Sequence, residues 1–258
     1  KDIIHTLQHI IASLKDKDGL DGAHIPTFRF MSIDIHNQDQ PGSTFVSRGF
    51  EFTSASPAKE FADAIYHELA SRELLHYPIK VFVPDEGAIP RTEELVSELL
   101  HHPQNHLRSI DLVYVEKVRK VAGQVSDAWI EKVVRWTLQA NGSITKTPVE
   151  TPTPDNPSTE ACVIIGTDDM GDTLGTGGND VDLVQAHFPH QVFTIFSFTH
   201  PVLSKGPENL NRVNANFILV GNTLITDELK EAIKNGHIRP EVRTVNLAPT
   251  IARALTQN

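Results

Sequence analysis

The stretch that decides the fold reads Ala161-Cys-Val-Ile-Ile-Gly-Thr-Asp-Asp-Met-Gly-Asp-Thr-Leu-Gly-Thr-Gly-Gly178. Its apolar residues from Cys162 to Ile165 predict a buried strand. Two adjacent carboxylates, Asp168 and Asp169, follow the strand, and a loop of small and hydroxyl residues comes next. The segment from Val181 to Ala186 then has helical character. The stretch therefore predicts a strand, an acidic turn and a helix in succession.

This succession is suited to holding a phosphorylated sugar. Backbone N–H groups and hydroxyls can cradle a phosphate at the N-terminus of a helix. The two carboxylates would then face the ribose hydroxyls or a metal ion. The alternative is an ordinary strand-to-helix turn, which the glycines alone would favour. An acidic pair followed by Asp-Thr-x-Gly-Thr at fixed spacing is a rarer pattern, and it favours the phosphate site.

The composition is typical of a soluble globular protein, with 258 residues, 39% hydrophobic and 22% charged. The net charge of −10 argues against binding to nucleic acid or to a membrane surface, both of which require a basic field. It leaves phosphate ligands open, because a local loop and Mg²⁺ can supply positive charge. The only cysteine, Cys162, fits a reducing compartment, and no apolar run has membrane-spanning length. We therefore expect a cytoplasmic protein.

The rest of the chain alternates strand-like and helical segments, which predicts an α/β fold with a mostly parallel twisted sheet flanked by helices. Residues 1–30 are expected to form an N-terminal helix and connection, and residues 31–258 the main domain. The segment Trp129 to Leu138 fits either a strand or a helix. A Pro-rich stretch at about 141–160 predicts a surface loop or flexible insertion. Strands are expected at 28–35, 79–83, 112–115, 162–165, 192–198, 217–220 and 242–245.

Polar and charged loops follow several of these strands, where ligands of parallel sheets bind. Asp34-Ile-His36 ends the first strand, although a single histidine is more often a surface residue and Mg²⁺ prefers oxygen ligands. Pro84-Asp85-Glu-Gly-Ala88 is either a plain turn or a pyrophosphate loop that directs Asp85 toward a divalent cation. Lys117 and Arg119 belong either to a solvated charged face or to a mobile cationic loop that closes over phosphates.

Taken in order, these motifs resemble phosphoribosyl-pyrophosphate synthetases, also called ribose-phosphate diphosphokinases, which have the type I phosphoribosyltransferase fold. Several matches in the family's order are more specific than any one of them. The resemblance covers most of the chain from about Phe28 onward. The matching segments are Asp34-Ile-His-Asn37, Val83-Pro-Asp-Glu-Gly-Ala-Ile-Pro-Arg91, Lys117-Val-Arg119, Asp168-Asp-Met-Gly-Asp-Thr-Leu-Gly-Thr176, Thr199-His-Pro-Val-Leu-Ser204 and Val242-Arg-Thr-Val-Asn-Leu-Ala-Pro249.

The resemblance implies a reaction and a role for each motif. The 1-hydroxyl of ribose 5-phosphate attacks the β-phosphorus of ATP, and AMP leaves. His36 and Asp85 bind the Mg²⁺ that accompanies ATP. Lys117 and Arg119 stabilise the transition state, and Arg119 also lies near ribose 5-phosphate. The sugar is bound by the acidic pair at its hydroxyls and by the loop at its 5-phosphate, through Asp168, Asp169, Asp172, Thr173, Leu174, Gly175 and Thr176.

The chain also departs from the family. Segments that hold ATP in the family are not found before His36, so residues 1–30 are expected to be the remnant of a missing first domain. The ATP site would then come from a partner chain, from a missing segment or from a second copy in a homo-oligomer, or it would be absent. Val118 replaces an arginine, and Leu174 replaces a small residue. Three functions therefore stay open: an active diphosphokinase, a non-catalytic regulatory or associated subunit, and a phosphoribosyltransferase acting on a base.

Overall fold

The computed structural model describes residues 28–34, 50–104, 107–121 and 124–256. The helix expected within residues 1–14 and the candidate ligand His36 lie outside these ranges. The chain divides into two compact units. In the smaller unit the described residues are 28–32 and 50–54, which belong to a two-stranded sheet of β1 (Phe28–Ile33) and β2 (Phe50–Ala55).

The larger unit is built on one eight-stranded sheet, in the order β10-β9-β8-β7-β3-β4-β5-β6. Six neighbouring strands from β10 to β4 run parallel, whereas β5 and β6 are antiparallel. The expectation of an α/β fold with a mostly parallel sheet is therefore confirmed. The strands are β3 (Ile79–Val83), β4 (Ser109–Val121), β5 (Gln124–Leu138), β6 (Ile144–Val149), β7 (Cys162–Gly171), β8 (Gln191–Pro201), β9 (Phe217–Gly221) and β10 (Glu241–Val245).

Two hydrophobic clusters cover the two faces of this sheet. Successive residues of a strand point to opposite faces, so Val81 and Val83 belong to one cluster and Phe82 to the other. The first cluster includes apolar side chains of α1 (Ala58–Ser71) and α2 (Ile89–Leu100), and the second includes those of α3 (Gly175–His187) and α4 (Asp227–Lys234). A last helix, α5 (Ala248–Thr256), closes the described chain. None of the helices in the described ranges is long and apolar enough to cross a membrane.

The acidic stretch is more regular than the sequence predicts. Strand β7 extends from Cys162 to Gly171, so Asp168 and Asp169 lie within its last residues and not in a turn after it. Pairing with β8 explains the extension, because Asp168 lies opposite Phe198 and Met170 opposite His200. Only residues 172–174 then separate the strand from α3.

The charged segment after residue 115 is not a loop. Strand β4 continues through Val121 and pairs with β5, so that Lys117 lies opposite Ala128. The mobile-loop alternative was wrong, because backbone pairing with β5 holds this charged segment in the sheet. The same pairing shows that the ambiguous segment from Trp129 to Leu138 is a strand.

Part of the Pro-rich stretch is also ordered. Residues 144–149 form β6 at the edge of the described sheet, where they pair with β5. An edge strand tolerates Pro148 because one of its sides forms no ladder hydrogen bonds. The following residues make a small turn in which Thr153 and Asn156 exchange backbone hydrogen bonds.

Candidate functional site

The acidic pair lies at the carboxyl end of β7. Asp169 is buried, whereas Asp168 is partly exposed. The backbone N–H of Asp169 donates to Oδ1 of Asp168 at 2.8 Å. Desolvation, followed by the hydrogen bond and charge of the neighbouring Asp169 carboxyl, raises the pKa of Asp168 to about 8. A carboxyl that keeps its proton near neutral pH can both donate to and accept from a sugar hydroxyl.

One guanidinium connects this pair to a third carboxylate. Arg91, in the first turn of α2, donates from Nε to Oδ1 of Asp34 at 2.7 Å, and its Nη2 lies 3.7 Å from Oδ2 of Asp169. The hydroxyl of Thr199, on β8, donates to the other oxygen of Asp34. Burial acts to lower the pKa of Arg91, but the carboxylates of Asp34 and Asp169 raise it. We call Asp34, Arg91, Asp168 and Asp169 the carboxyl-end network.

No role for Arg91 or Asp34 was predicted from the sequence. A single arginine at the start of a helix is normally exposed, yet the side chain of Arg91 is only 13% exposed. Their positions in the sequence could have indicated a role, because each residue belongs to a motif in which a neighbouring residue is a candidate ligand. Arg91 ends the segment that contains Asp85, and Asp34 opens the segment that contains His36.

The loop between β7 and α3 is open to solvent. Thr173 and Thr176 are exposed, and Asp172 accepts a hydrogen bond from the backbone N–H of Ser204 at 2.9 Å. This contact with Ser204 lowers the pKa of Asp172. Helix α3 begins at Gly175, so unpaired N–H groups of its first turn face the same loop. The predicted phosphate-binding residues are therefore adjacent, and they lie at a helix N-terminus.

Leu174 has an unusual conformation within this loop. Its φ of 55° and ψ of 14° lie in the left-handed region that favours glycine. Its side chain is 5% exposed and belongs to the hydrophobic cluster under α3. The side chain thus anchors the loop to the core, and only the backbone of Leu174 remains for a ligand.

A second arginine, which the sequence analysis missed, contacts the loop. Arg212 donates from Nη1 to the carbonyl oxygen of Thr173 at 3.3 Å. The backbone of Arg212 also explains Gly178, because a Cβ there would lie 2.5 Å from the carbonyl oxygen of Arg212. Gly178 therefore allows close packing of α3, and it is not needed for the phosphate loop.

Asp85 follows β3, the neighbour of β7 in the sheet. Its Oδ1 accepts from the N–H of Ala88 at 3.2 Å and caps a short 3-10 helix, Glu86–Ala88. Asp85 also lines a cavity of about 300 Å³ with Glu86, Glu116, Glu131 and Lys132. The turn interpretation of this motif is thus correct for the backbone, while the carboxylate stays partly exposed.

Of the two candidate cationic residues, Lys117 and Arg119, the structure describes the side chain of Lys117. Nζ of Lys117 lies 2.7 Å from Oδ2 of Asp180 on α3, and the two side chains are only 4% and 3% exposed. For Arg119 the structure describes the backbone, which pairs with Val125. Lys117 is therefore a strand residue whose side chain is buried in a salt bridge that the sequence did not suggest.

The acidic side chains of the site offer few ligands for Mg²⁺. Within the described ranges, no group of three or more His, Cys, Asp or Glu side chains is placed to hold a metal ion. Mg²⁺ is commonly held by one or two carboxylates together with substrate phosphates and water. Asp85, a partly exposed carboxylate directly after β3, fits such a site as one of its protein ligands.

The described residues form an α/β fold with a large, mostly parallel sheet flanked by helices. No protein-family model and no curated protein matches the chain. Among solved structures, the chain is similar to phosphoribosylpyrophosphate synthetase from Mycobacterium smegmatis, with a TM-score of 0.55 and 23% sequence identity. The match covers 88% of this chain and 57% of that one, so the chain spans little more than half of the synthetase. This similarity shows a shared fold.

Proposed function

We propose that this chain is the phosphoribosyltransferase-like half of a ribose-phosphate diphosphokinase. It would transfer pyrophosphate from Mg-ATP to the 1-hydroxyl of ribose 5-phosphate, giving phosphoribosyl pyrophosphate and AMP. The observation that carries the proposal is the acidic pair at the end of β7 next to the open loop at the N-terminus of α3. The fold shared with a phosphoribosylpyrophosphate synthetase supports it.

The sugar phosphate would bind along this strand-loop-helix unit. The free N–H groups and the positive end of the α3 dipole favour a phosphate. The hydroxyls of Thr173 and Thr176 add donors, and Asp172, Leu174 and Gly175 contribute backbone groups. Asp168 and Asp169 would hold the ribose hydroxyls, with Arg91 fixing the orientation of Asp169.

Charge neutralisation would come from Mg²⁺ and from cationic side chains. Asp85 and His36 are the proposed ligands of the Mg²⁺ that accompanies ATP. Bound Mg²⁺ supplies positive charge that screens the ATP phosphates and favours attack at phosphorus. Lys117 and Arg119 are proposed to stabilise the charge that develops on the transferred group. The adenine would bind to a partner chain, to another copy of this chain or to a segment that precedes Lys1.

A second function, that of a non-catalytic associated subunit, is favoured by one contact. The ammonium of Lys117 is buried against Asp180, where it cannot touch a substrate unless that salt bridge opens. A subunit of this kind would bind ribose 5-phosphate without releasing AMP.

Measurement of AMP release distinguishes the two functions. The chain is incubated with ribose 5-phosphate and Mg-ATP, alone and with the partner proteins that copurify with it, and binding of ribose 5-phosphate is followed by calorimetry. The diphosphokinase proposal predicts AMP release that Lys117→Ala abolishes, because a transition-state cation typically contributes roughly 10²–10³-fold. Lys230→Ala, at an exposed position on α4, is the matched control and should leave the rate unchanged.

Two outcomes would contradict the proposal or part of it. AMP release that survives Lys117→Ala would remove that lysine from the mechanism. Binding of ribose 5-phosphate without AMP under every partner condition would favour the associated subunit.

A further inference from the structure

The salt bridge between Lys117 and Asp180 lies between two parts of the candidate site. Lys117 belongs to β4, where its backbone pairs with Ala128 of β5. Asp180 belongs to α3, whose first residue, Gly175, is also part of the candidate phosphate loop. The pair therefore ties the helix that presents the loop to the β4–β5 hairpin that carries the proposed cationic residues.

Burial makes this contact consequential for catalysis. Both side chains are almost fully shielded, and the two charged atoms are 2.7 Å apart. Ion pairs interact more strongly in a low-dielectric interior than in water, and removal of one partner leaves a costly unpaired charge. In this arrangement the charge of the Lys117 ammonium is neutralised by Asp180.

The same geometry shows how the contact could be opened. Asp180 lies in the second turn of α3, and the N-terminal N–H groups of that helix face the loop. An anion bound at the loop adds charge next to the helix, and a pyrophosphoryl group offers Lys117 more negative charge than one carboxylate does. The phosphates of bound substrates would therefore compete with Asp180 for the lysine.

We propose that Asp180 is a positioning residue that withholds Lys117 from the empty site, and that sugar phosphate at the loop releases it. This inference rests on the proposed function, since it takes the loop as the phosphate site and Lys117 as the cation. It gives the buried salt bridge a regulatory role in place of a purely structural one.

Acetylation of lysines by an amine-reactive ester, quantified by mass spectrometry, tests the release in the wild-type chain. Lys117 should react roughly tenfold or more slowly than exposed Lys230, because a buried, paired amine is inaccessible. Saturating ribose 5-phosphate should accelerate modification of Lys117 several-fold and leave Lys230 unchanged. A rate at Lys117 that does not respond to ribose 5-phosphate would overturn the proposal.

The Asp180→Asn variant tests the same point by binding. Calorimetry with inorganic pyrophosphate should show roughly tenfold tighter binding to Asp180→Asn than to the wild type, because the freed ammonium forms a charge-assisted contact. The gain should vanish in the Asp180→Asn/Lys117→Ala double variant, and Asp180→Glu should restore wild-type binding. A merely structural role predicts no gain, so unchanged or weaker pyrophosphate binding by folded Asp180→Asn would contradict the proposal.

The proposed release of Lys117 and the proposed diphosphokinase activity can fail independently. Absence of AMP together with tighter pyrophosphate binding would reject the diphosphokinase and keep the release of Lys117. AMP release that depends on Lys117, together with unchanged pyrophosphate binding by Asp180→Asn, would keep the diphosphokinase and reject the release of Lys117.

Discussion

Buried charges occur at both ends of the parallel strands, and the two ends stabilise them differently. At the amino end, Lys80 of β3, Asp111 of β4 and Arg135 of β5 lie side by side in register. Lys80 donates to Asp111 and to Glu160, each at 2.7 Å, and Arg135 donates to both oxygens of Asp111 at 2.7 and 2.9 Å. At the carboxyl end, the carboxyl-end network has one guanidinium for three carboxyl groups among the described residues.

The pKa values of Asp111 at the amino end and Asp168 at the carboxyl end are shifted in opposite directions. Burial alone would raise the pKa of Asp111, but hydrogen bonds from Arg135 and Lys80 lower it. Burial raises the pKa of Asp168 to about 8, and distant Arg91 does not compensate. The amino end therefore stabilises its own charges, which is typical of a structural cluster. The carboxyl end keeps a carboxyl group whose ionisation would be favoured by a ligand or a cation.

The largest effect is expected at the amino end. Asp111→Ala should reduce the free energy of unfolding by about 3–5 kcal/mol, because it leaves the buried ammonium of Lys80 without its nearest buried partner. Urea unfolding measures this loss, and Asp168→Asn is the matched control at the other end. Retained stability in Asp111→Ala, or an equal loss in Asp168→Asn, would erase the distinction between the two ends.

A second prediction concerns ligand binding at the carboxyl end. Asp168→Ala should weaken ribose 5-phosphate binding by roughly tenfold to a hundredfold, because the sugar hydroxyls lose a partner that both donates and accepts hydrogen bonds. Calorimetry with ribose 5-phosphate measures this loss, and Asp111→Asn, under conditions where it is folded, should bind normally. Wild-type affinity in Asp168→Ala would show that Asp168 does not hold the sugar.

The same carboxyl group should make stability depend on pH. Because the folded pKa of Asp168, about 8, lies above its unfolded value of about 3.8, the folded chain binds a proton that the unfolded chain has released. Wild-type stability should therefore fall as the pH rises from 4 to 8. Asp168→Asn has no carboxyl group at this position, so its melting temperature should rise relative to that of the wild type between pH 4 and pH 8. A constant difference between the two proteins would contradict the raised pKa.

The smallest effect is expected in the loop. Leu174 combines a left-handed backbone with a buried side chain. Leu174→Ala loses the packing and keeps the strain, whereas Leu174→Gly loses the packing and relieves the strain. The glycine variant should therefore be more stable than the alanine variant by about 0.5–1 kcal/mol, the reverse of the usual order in a helix. Thermal unfolding of the two variants decides it.

Much of the fold could be predicted because each strand and helix has a local pattern. The bounds of β3 were predicted at 79–83, and the structure has them at Ile79–Val83. The strand expected at 217–220 is β9, Phe217–Gly221. The continuation of β4 could not be predicted, because its charged residues have no strand-like alternation of apolar side chains. Pairing with β5 supplies the backbone hydrogen bonds that stabilise it. The strand β6 was missed for the same reason, since an exposed edge strand with a proline looks like a loop.

The candidate site divides in the same way. The order of the motifs placed Asp168, Asp169 and the loop at one strand end, because a local stretch determines their spacing. The salt bridges around the site could not be predicted from the sequence. Arg91 and Asp34 are 57 residues apart in the sequence, and Lys117 and Asp180 are 63 residues apart. Such pairs depend on strand order and register, which arise only when the sheet assembles.

The sequence by itself determined an α/β chain with an acidic, glycine- and threonine-rich turn after a buried strand. Local hydrophobic patterns and turn-forming residues encode that much. Only the tertiary structure decided which charges are neutralised. It paired Lys80 with Asp111 at one end of the sheet, buried Lys117 against Asp180, and placed Asp168 where its proton is retained. The physical reason is that burial and the distance to an opposite charge control ionisation, and both are set by packing between distant segments.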